Sequence, residues 1–255
     1  MKKITLLVLS ILPIVYVSST HASNERENKK QVAPIISAQT MYQIARTEFD
    51  RQHFHQSIKL YQALETQYPY SDYAKQAKMD KAYAYFRDNK PKEALSTIEQ
   101  FIKLYPKHID IDYMYYLEAL VYCENHQPFL ERWNKPKKVY QDSQSNMQAL
   151  VHFERFIAQF PESQYVADAQ QRILHIRQEL SEHHLLIARY NMRRGAHIAA
   201  INRAQDVIKQ YPDTPSVEEA LAILVKSYAK LGHVELSKAA RVQLRTTYPN
   251  SRWLK

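Results

Sequence analysis

Five aromatic–proline pairs punctuate this chain, at Tyr68-Pro69, Tyr105-Pro106, Phe160-Pro161, Tyr211-Pro212 and Tyr248-Pro249, with intervals of 37, 55, 51 and 37 residues. Proline lacks an amide hydrogen and forces the residue before it out of the helical region, so each pair is a stop signal for a helix. Positions counted from the prolines agree with one another. Twelve residues earlier stand Ser57, Ala94, Ala149, Ala200 and Ser237, all small, and five earlier stand Leu64, Phe101, Phe156, Val207 and Leu244, all apolar. Offsets of −12, −5 and −1 lie near one face of a 3.6-residue helix, and the small residue lets a partner helix come close. Seventeen earlier stand Gln52, Asn89, Gln144, Gly195 and Gly232, so both glycines of the chain fall on one phase of the repeat. Two glycines in 255 residues, against a usual ~7%, disfavour strand-rich folds with tight turns. Two residues after the prolines stand Ser71, His108, Ser163, Thr214 and Ser251, four of which are good N-caps for a following helix, and Pro215 suits the first helical position. The spacing therefore predicts consecutive helical hairpins over about residues 38–250.

A period near 34–37 with this pattern resembles the tetratricopeptide repeat (TPR), most closely in the second repeat, with Ala82, Tyr85, Ala94 and Pro106. The expected fold is all-α: a right-handed solenoid of five TPR-like hairpins, with a loop insert in the third and a long helix entering the fourth. The 55-residue interval leaves room for an insert of 18 residues at about 126–143, containing "QPFLERWNKPKKVYQDS". In repeat proteins such inserts map either to a binding face or to a tolerated loop. The 51-residue interval has no proline or glycine from Gln164 to Arg193, and its apolar residues keep a 3–4 spacing. Its 14 extra residues make about four helical turns, which keeps the buried face in register. One long helix is predicted there, joining repeats 1–3 (residues 38–163) to repeats 4–5 (residues 164–255).

The N-terminus reads as a secretory leader. Lys2 and Lys3 precede an apolar run from Ile4 to Val17, and Thr20 and Ala22 stand at the −3 and −1 spacing of signal peptidase. Residues 1–22 are expected to be a signal peptide cleaved after Ala22, and residues 23–37 a flexible segment. Loss of Lys2 and Lys3 takes the formal charge from +9 to +7, which favours acidic partners or anionic surfaces without naming one. The lone Cys123 excludes an internal disulfide. A nucleic-acid partner would rest on charge alone and conflicts with the leader.

Catalytic and metal motifs are missing. There is no glycine-rich phosphate loop, no His-Glu-x-x-His, no paired cysteines and no Gly-x-Ser-x-Gly. His183 and His184 would point about 100° apart on a helix, a poor geometry for chelation. No enzyme, cofactor or metal is therefore expected, and surface remains. The first helix of each TPR hairpin lines a concave groove, and the repeat phase places Tyr42, Arg46, Tyr83, Arg87, Tyr113 and Tyr116 there. Tyrosine and arginine dominate recognition surfaces, although tyrosine also packs half-buried between helices.

The segments "YPYSDYAKQAKMDKAYAYF", "IDIDYMYYLEAL", "FPESQYVADAQQRI" and "RYNMRRGAHIAAINRAQDVIKQYPDT" resemble the BamD family, the five-TPR subunits of the β-barrel assembly machinery of Gram-negative outer membranes. The most specific part is Arg194-Gly195-Ala196 followed by Ala199-Ala200-Ile201-Asn202-Arg203. The resemblance implies a non-catalytic periplasmic scaffold, secreted by the general pathway and peripheral to the outer membrane. It implies that Arg194, Asn202 and Arg203 contact the POTRA region of a BamA-like barrel subunit. It implies that the N-terminal groove takes the aromatic-ended C-terminal segments of unfolded outer-membrane proteins, and that accessory assembly lipoproteins bind along the flank. The insert departs from the family's usual run. His184 replaces the glutamate usual 11 residues before the Arg-Gly glycine, so any ion pair there is lost or pH-dependent. The leader lacks the cysteine-ended lipobox of the family, so no lipid anchor is expected. A different class remains open at this point: a periplasmic TPR protein of cell-envelope or peptidoglycan coordination.

Overall fold

Every aromatic–proline pair ends a helix, and each ends it in the same way. The aromatic residue's N–H closes a last helical bond to the carbonyl four residues earlier: Tyr68 to Leu64, Tyr105 to Phe101, Phe160 to Phe156, Tyr211 to Val207 and Tyr248 to Leu244, at 2.8–2.9 Å. Its own φ and ψ have already left the helical region, for example −130° and 54° at Tyr105 and −130° and 53° at Tyr211. Three residues on, the N–H of Ser71, His108, Ser163, Thr214 or Ser251 returns to the aromatic carbonyl at 3.0–3.2 Å, closing a turn around the proline.

The computed structural model describes residues 36–124 and 143–254. Among them ten helices follow in five antiparallel pairs: α1 (Ala38–Asp50) with α2 (Phe54–Gln67), α3 (Asp72–Arg87) with α4 (Pro91–Leu104), α5 (Ile111–Glu124) with α6 (Ser143–Gln159), α7 (Val166–Arg193) with α8 (His197–Gln210), and α9 (Ser216–Lys230) with α10 (Val234–Thr247). A short 3-10 turn, Arg252–Leu254, follows. The predicted leader, the N-terminal segment up to residue 35 and nearly all of the predicted insert lie outside the described residues.

Within a pair, the connection is a Schellman turn. His53, Lys90, Ala196 and His233 donate to carbonyls five residues back, at Glu48, Tyr85, Asn191 and Tyr228, at 2.9–3.0 Å. The geometry needs one left-handed residue, and Gln52, Asn89, Gly195 and Gly232 supply it with φ of 65°, 55°, 73° and 76°. These four residues are the −17 phase of the repeat. The fifth, Gln144, lies inside α6 instead, and the connection of the third pair, residues 125–142, lies outside the described residues.

The −5 residues Leu64, Phe101, Phe156, Val207 and Leu244 are all buried, as are Ser57, Ala94, Ala149 and Ala200 at −12; Ser237 donates to the Val225 carbonyl at 2.9 Å. Side chains from α3 to the first half of α7 pack into one apolar core around Phe101, Met114, Phe153 and Phe156. Leu185 and Ala188 of α7 belong to a second core with α8, α9 and α10. Between the two, α7 carries Ser181-Glu182-His183-His184, where the buried Ser181 hydroxyl bonds Ser216 at 2.8 Å. The long helix begins at Val166, two residues later than the pattern predicts, and its 28 residues span about 42 Å.

Capping differs in detail from expectation. Ser71 caps α3 by accepting from the Ala74 N–H at 3.1 Å. Ser163 instead gives its hydroxyl to Asp112 at 2.6 Å, and Thr214 turns back to the Tyr211 carbonyl at 2.8 Å. Pro215 takes the cap position ahead of α9. Side chains at the +2 position therefore tie the loop together more often than they cap the next helix.

The left-handed positions make a paired prediction. A non-glycine residue there is strained by about 1 kcal/mol, and a Cβ at Gly232 would meet no atom within 4 Å, so only the backbone opposes it. Gln52→Gly should raise the urea midpoint and Gly232→Ala should lower it, each by about 1 kcal/mol in unfolding free energy.

Candidate partner-binding surfaces

First helices of successive pairs meet along one side of the solenoid, and their polar side chains form knots between them. At the α1–α3 seam Asp80, 14% exposed in its side chain, accepts from Tyr42 at 2.7 Å and Gln76 at 3.1 Å, with Arg46 at 3.8 Å. Burial and the bond to Asp80 push the Tyr42 phenol well above its usual range. At the α5–α7 seam Tyr116 donates to Asp168, which Arg172 also holds at 2.5 Å. Burial and that bond raise the Tyr116 phenol to about 12. Burial alone would raise the Asp168 carboxyl, but Tyr116 and Arg172 hold it below the usual range.

The six predicted groove residues thus divide. Tyr42 and Arg46 are drawn onto Asp80. Tyr113 and Tyr116 pack on Tyr165, the latter stacked at 4.7 Å, and Tyr116 is only 8% exposed, so these rings hold the seam together. Tyr83 and Arg87 make their own unit: the Arg87 guanidinium lies 5.3 Å from the Phe54 ring and 5.9 Å from the Tyr83 ring and donates to the Tyr83 hydroxyl at 3.3 Å. No carboxylate among the described residues comes within ion-pair reach of Arg87, which is exposed. The acidic partners Asp80 and Asp168 were missed from sequence. A usable signal was present in the Tyr-x-x-x-Arg spacing of Tyr42/Arg46, Tyr83/Arg87 and Tyr190/Arg194, which puts each pair on one face of a first helix.

The C-terminal candidates sit on α8 and the turn before it. Arg203 has a side chain 44% exposed and reaches Asp206 at 3.4 Å. Asp206 also faces His184 of α7, whose Nδ1 stands 3.5 Å away. His184 packs on Tyr211 and on His183. Arg194 lies over Tyr190 at 5.6 Å and donates to its hydroxyl at 3.0 Å. Asn202 is exposed. Nearby, Arg189 of α7 forks onto Glu219 of α9 with two bonds of 2.6 Å, a third tie between first helices.

The same string that carries Arg194, Asn202 and Arg203 lies within a match to the family model described as "Outer membrane lipoprotein" (YfiO), over residues 35–253. The chain belongs to the YfiO/BamD family. It is 37% identical over its whole length to the outer membrane protein assembly factor BamD of Neisseria meningitidis serogroup A, covering 94% of that protein. It is 30% identical to BamD of Xylella fastidiosa strain Temecula1, over 99% of this chain and 85% of the relative. Among solved structures it is similar to a tetratricopeptide repeat protein from Parabacteroides merdae, with 13% identity, a TM-score of 0.36, and coverage of 84% and 67% of the two chains. No helix among the described residues is long and apolar enough to cross a membrane.

His184 is half-buried on α7 and faces Asp206 of α8, so its protonation bears on stability. Burial lowers its pKa, Asp206 opposes that, and Arg203 and His183 add repulsion. With a folded-state pKa below the unfolded value of about 6.5, the unfolded chain binds the proton first. Stability is then complete above about pH 6.5 and declines as pH falls through the folded value. Between about pH 7.5 and pH 5, the urea midpoint of the native chain should fall further than that of His184→Gln; parallel curves would contradict the assignment.

Proposed function

We propose that this chain is an outer-membrane protein assembly factor: a non-catalytic periplasmic scaffold peripheral to the outer membrane. In this reading its C-terminal repeats hold the POTRA region of a BamA-like barrel subunit, and its N-terminal repeats receive the C-terminal segments of unfolded outer-membrane proteins. Accessory assembly lipoproteins bind along its flank. The observation that carries the reading is the likeness, through the full chain, to assembly factors of this family. A cell-envelope TPR protein of another kind has no matching support.

The geometry supports a division of labour. Arg203 is exposed and only loosely held by Asp206, so its planar fork is available to a carboxylate on a partner. In the N-terminal half, Arg87 is a guanidinium left without an acid among the described residues, and it is fixed by Phe54 and Tyr83. A terminal carboxylate next to an aromatic side chain matches such a site: the carboxylate meets the guanidinium and the ring meets the neighbouring aromatics.

Two measurements test the halves separately. Arg203→Glu should weaken binding of the purified protein to isolated POTRA domains by on the order of 30-fold, the cost of truncating a central charged contact; unchanged binding removes the C-terminal assignment. Arg87→Glu should reduce crosslinking of a phenylalanine-ended peptide at Tyr83 and leave POTRA binding intact. Equal crosslinking by the native and variant proteins, or crosslinks confined to α2 and α4, would sink the N-terminal assignment.

A further inference from the structure

The tight turns of the solenoid differ in how their charges are balanced. In the first pair, Arg51 and His53 both bond Glu48, at 3.0 and 2.8 Å, and in the second Lys90 pairs with Asp88 at 2.7 Å. In the fourth and fifth pairs the balance is gone. Arg193 closes α7, and Lys226 and Lys230 stand one helical turn apart at the end of α9. None of the three has a carboxylate within ion-pair reach among the described residues, and the one acid at the start of α10, Glu235, is tied to Lys238 at 3.0 Å.

The two lysines border a recess. Met192, His197, Lys226, Ala229 and Lys230 line a cavity of about 520 Å³ between the end of α7, the start of α8 and the last turns of α9. Lys226 is held by the Trp253 ring, with its Nζ 4.7 Å from the centroid, a contact that fixes the ammonium without cancelling its charge. The Nδ1 of His197 is buried and meets no hydrogen-bond partner. Helix α8 opens here with no side-chain cap and no acid in its first turn, so the positive end of its dipole is not offset by an acid of its own. The same edge carries exposed apolar side chains: Ile198 at 67%, Val234 at 56% and Leu231 at 36%.

We propose that this edge, the paired turns of the fourth and fifth hairpins, docks on a bilayer surface bearing anionic phosphodiester headgroups, with one phosphate entering the recess between Lys226, Lys230 and His197. The chemistry favours a lipid surface over an acidic polypeptide. Lysine ammoniums bind phosphates as point charges, and basic residues beside a bilayer are drawn to its anionic headgroups. The apolar residues stand on the protruding turns, outside the recess, where they can enter the headgroup region beside the cations. A family described as outer membrane lipoproteins works beside a bilayer. The turn of the fourth hairpin also carries Arg194, assigned above to the barrel-subunit contact, whereas Lys226, Lys230 and His197 have no part in that assignment.

The test uses the chain from Ser23 onward, which omits the apolar leader and retains the whole compact unit Ile36–Lys255. Its sedimentation with vesicles of pure phosphatidylcholine is compared with vesicles containing about one third phosphatidylglycerol. The native chain should sediment only with the anionic vesicles, and less so as salt is raised. Each basic residue near such a surface contributes about fivefold in affinity, so Lys226→Glu/Lys230→Glu should weaken binding by at least on the order of 25-fold. The charge-matched control Lys92→Glu/Lys103→Glu, on exposed positions of α4, should bind as the native chain does, and matching thermal unfolding curves show that all three are folded. Equal loss in both double variants would mean a net-charge effect and overturn the site. Failure to bind anionic vesicles, with polyglutamate retained by the native chain and lost by Lys226→Glu/Lys230→Glu, would assign the edge to an acidic protein and overturn the lipid proposal.

Discussion

A proline cannot donate a hydrogen bond, and the residue before it cannot stay helical. In this chain those two prohibitions act five times at one phase of an amphipathic helix. Because the aromatic residue has already completed its bond to the carbonyl four back, the helix loses nothing before it stops. The turn that follows is closed by the N–H three residues on, so the chain reverses within a few residues and the next helix begins three to five residues after the proline. The buried residue at −5 and the small residue at −12 are placed relative to that stop. Four such stops each hand on to a further hairpin, and with the left-handed turns inside the pairs they make a solenoid.

The fourth hairpin shows how far the constraint stretches. Fourteen extra residues enter the first helix rather than a loop, and four whole turns leave the packing face where it was. The helix is then long enough to serve two cores. Its first half packs with α3 to α6 and its second half with α8 to α10. Where it passes from one to the other, apolar residues give way to Ser181, Glu182, His183 and His184. Their bonds run sideways, to Ser216 and Asp206, so the fourth and fifth repeats are joined to the helix by polar contacts at the crossing.

Much of this was legible because helix stops, left-handed turns and buried faces are local properties. Spacing alone puts Gln52 and Asn89 in the same phase as the two glycines, and all four share one left-handed turn. The exception, Gln144, is in helix α6, which no local rule at that residue reveals. Surface residues were harder. Tyr116 and Arg87 look alike in the repeat pattern, yet one is sealed in a seam and the other is exposed. The difference is set by Asp168 and Tyr165 on the next hairpin, at a distance of about fifty residues in sequence. Side-chain partners across a repeat junction are long-range facts, and phase alone cannot supply them.

The seams also explain where free charge is left. Tyrosine satisfies Asp80 and Asp168 as a hydrogen-bond donor without neutralising them, so each carboxylate still draws an arginine, Arg46 and Arg172 respectively. Between α7 and α9 the tie is arginine itself, Arg189 on Glu219. Every acid that faces a neighbouring first helix in these knots has therefore drawn a cation. Arg87 in the N-terminal half, and Arg193, Lys226 and Lys230 at the C-terminal turns, are surplus to holding the fold. A fold that needs none of these charges keeps them in water at little cost, and their attraction is available in full to an anion arriving from outside.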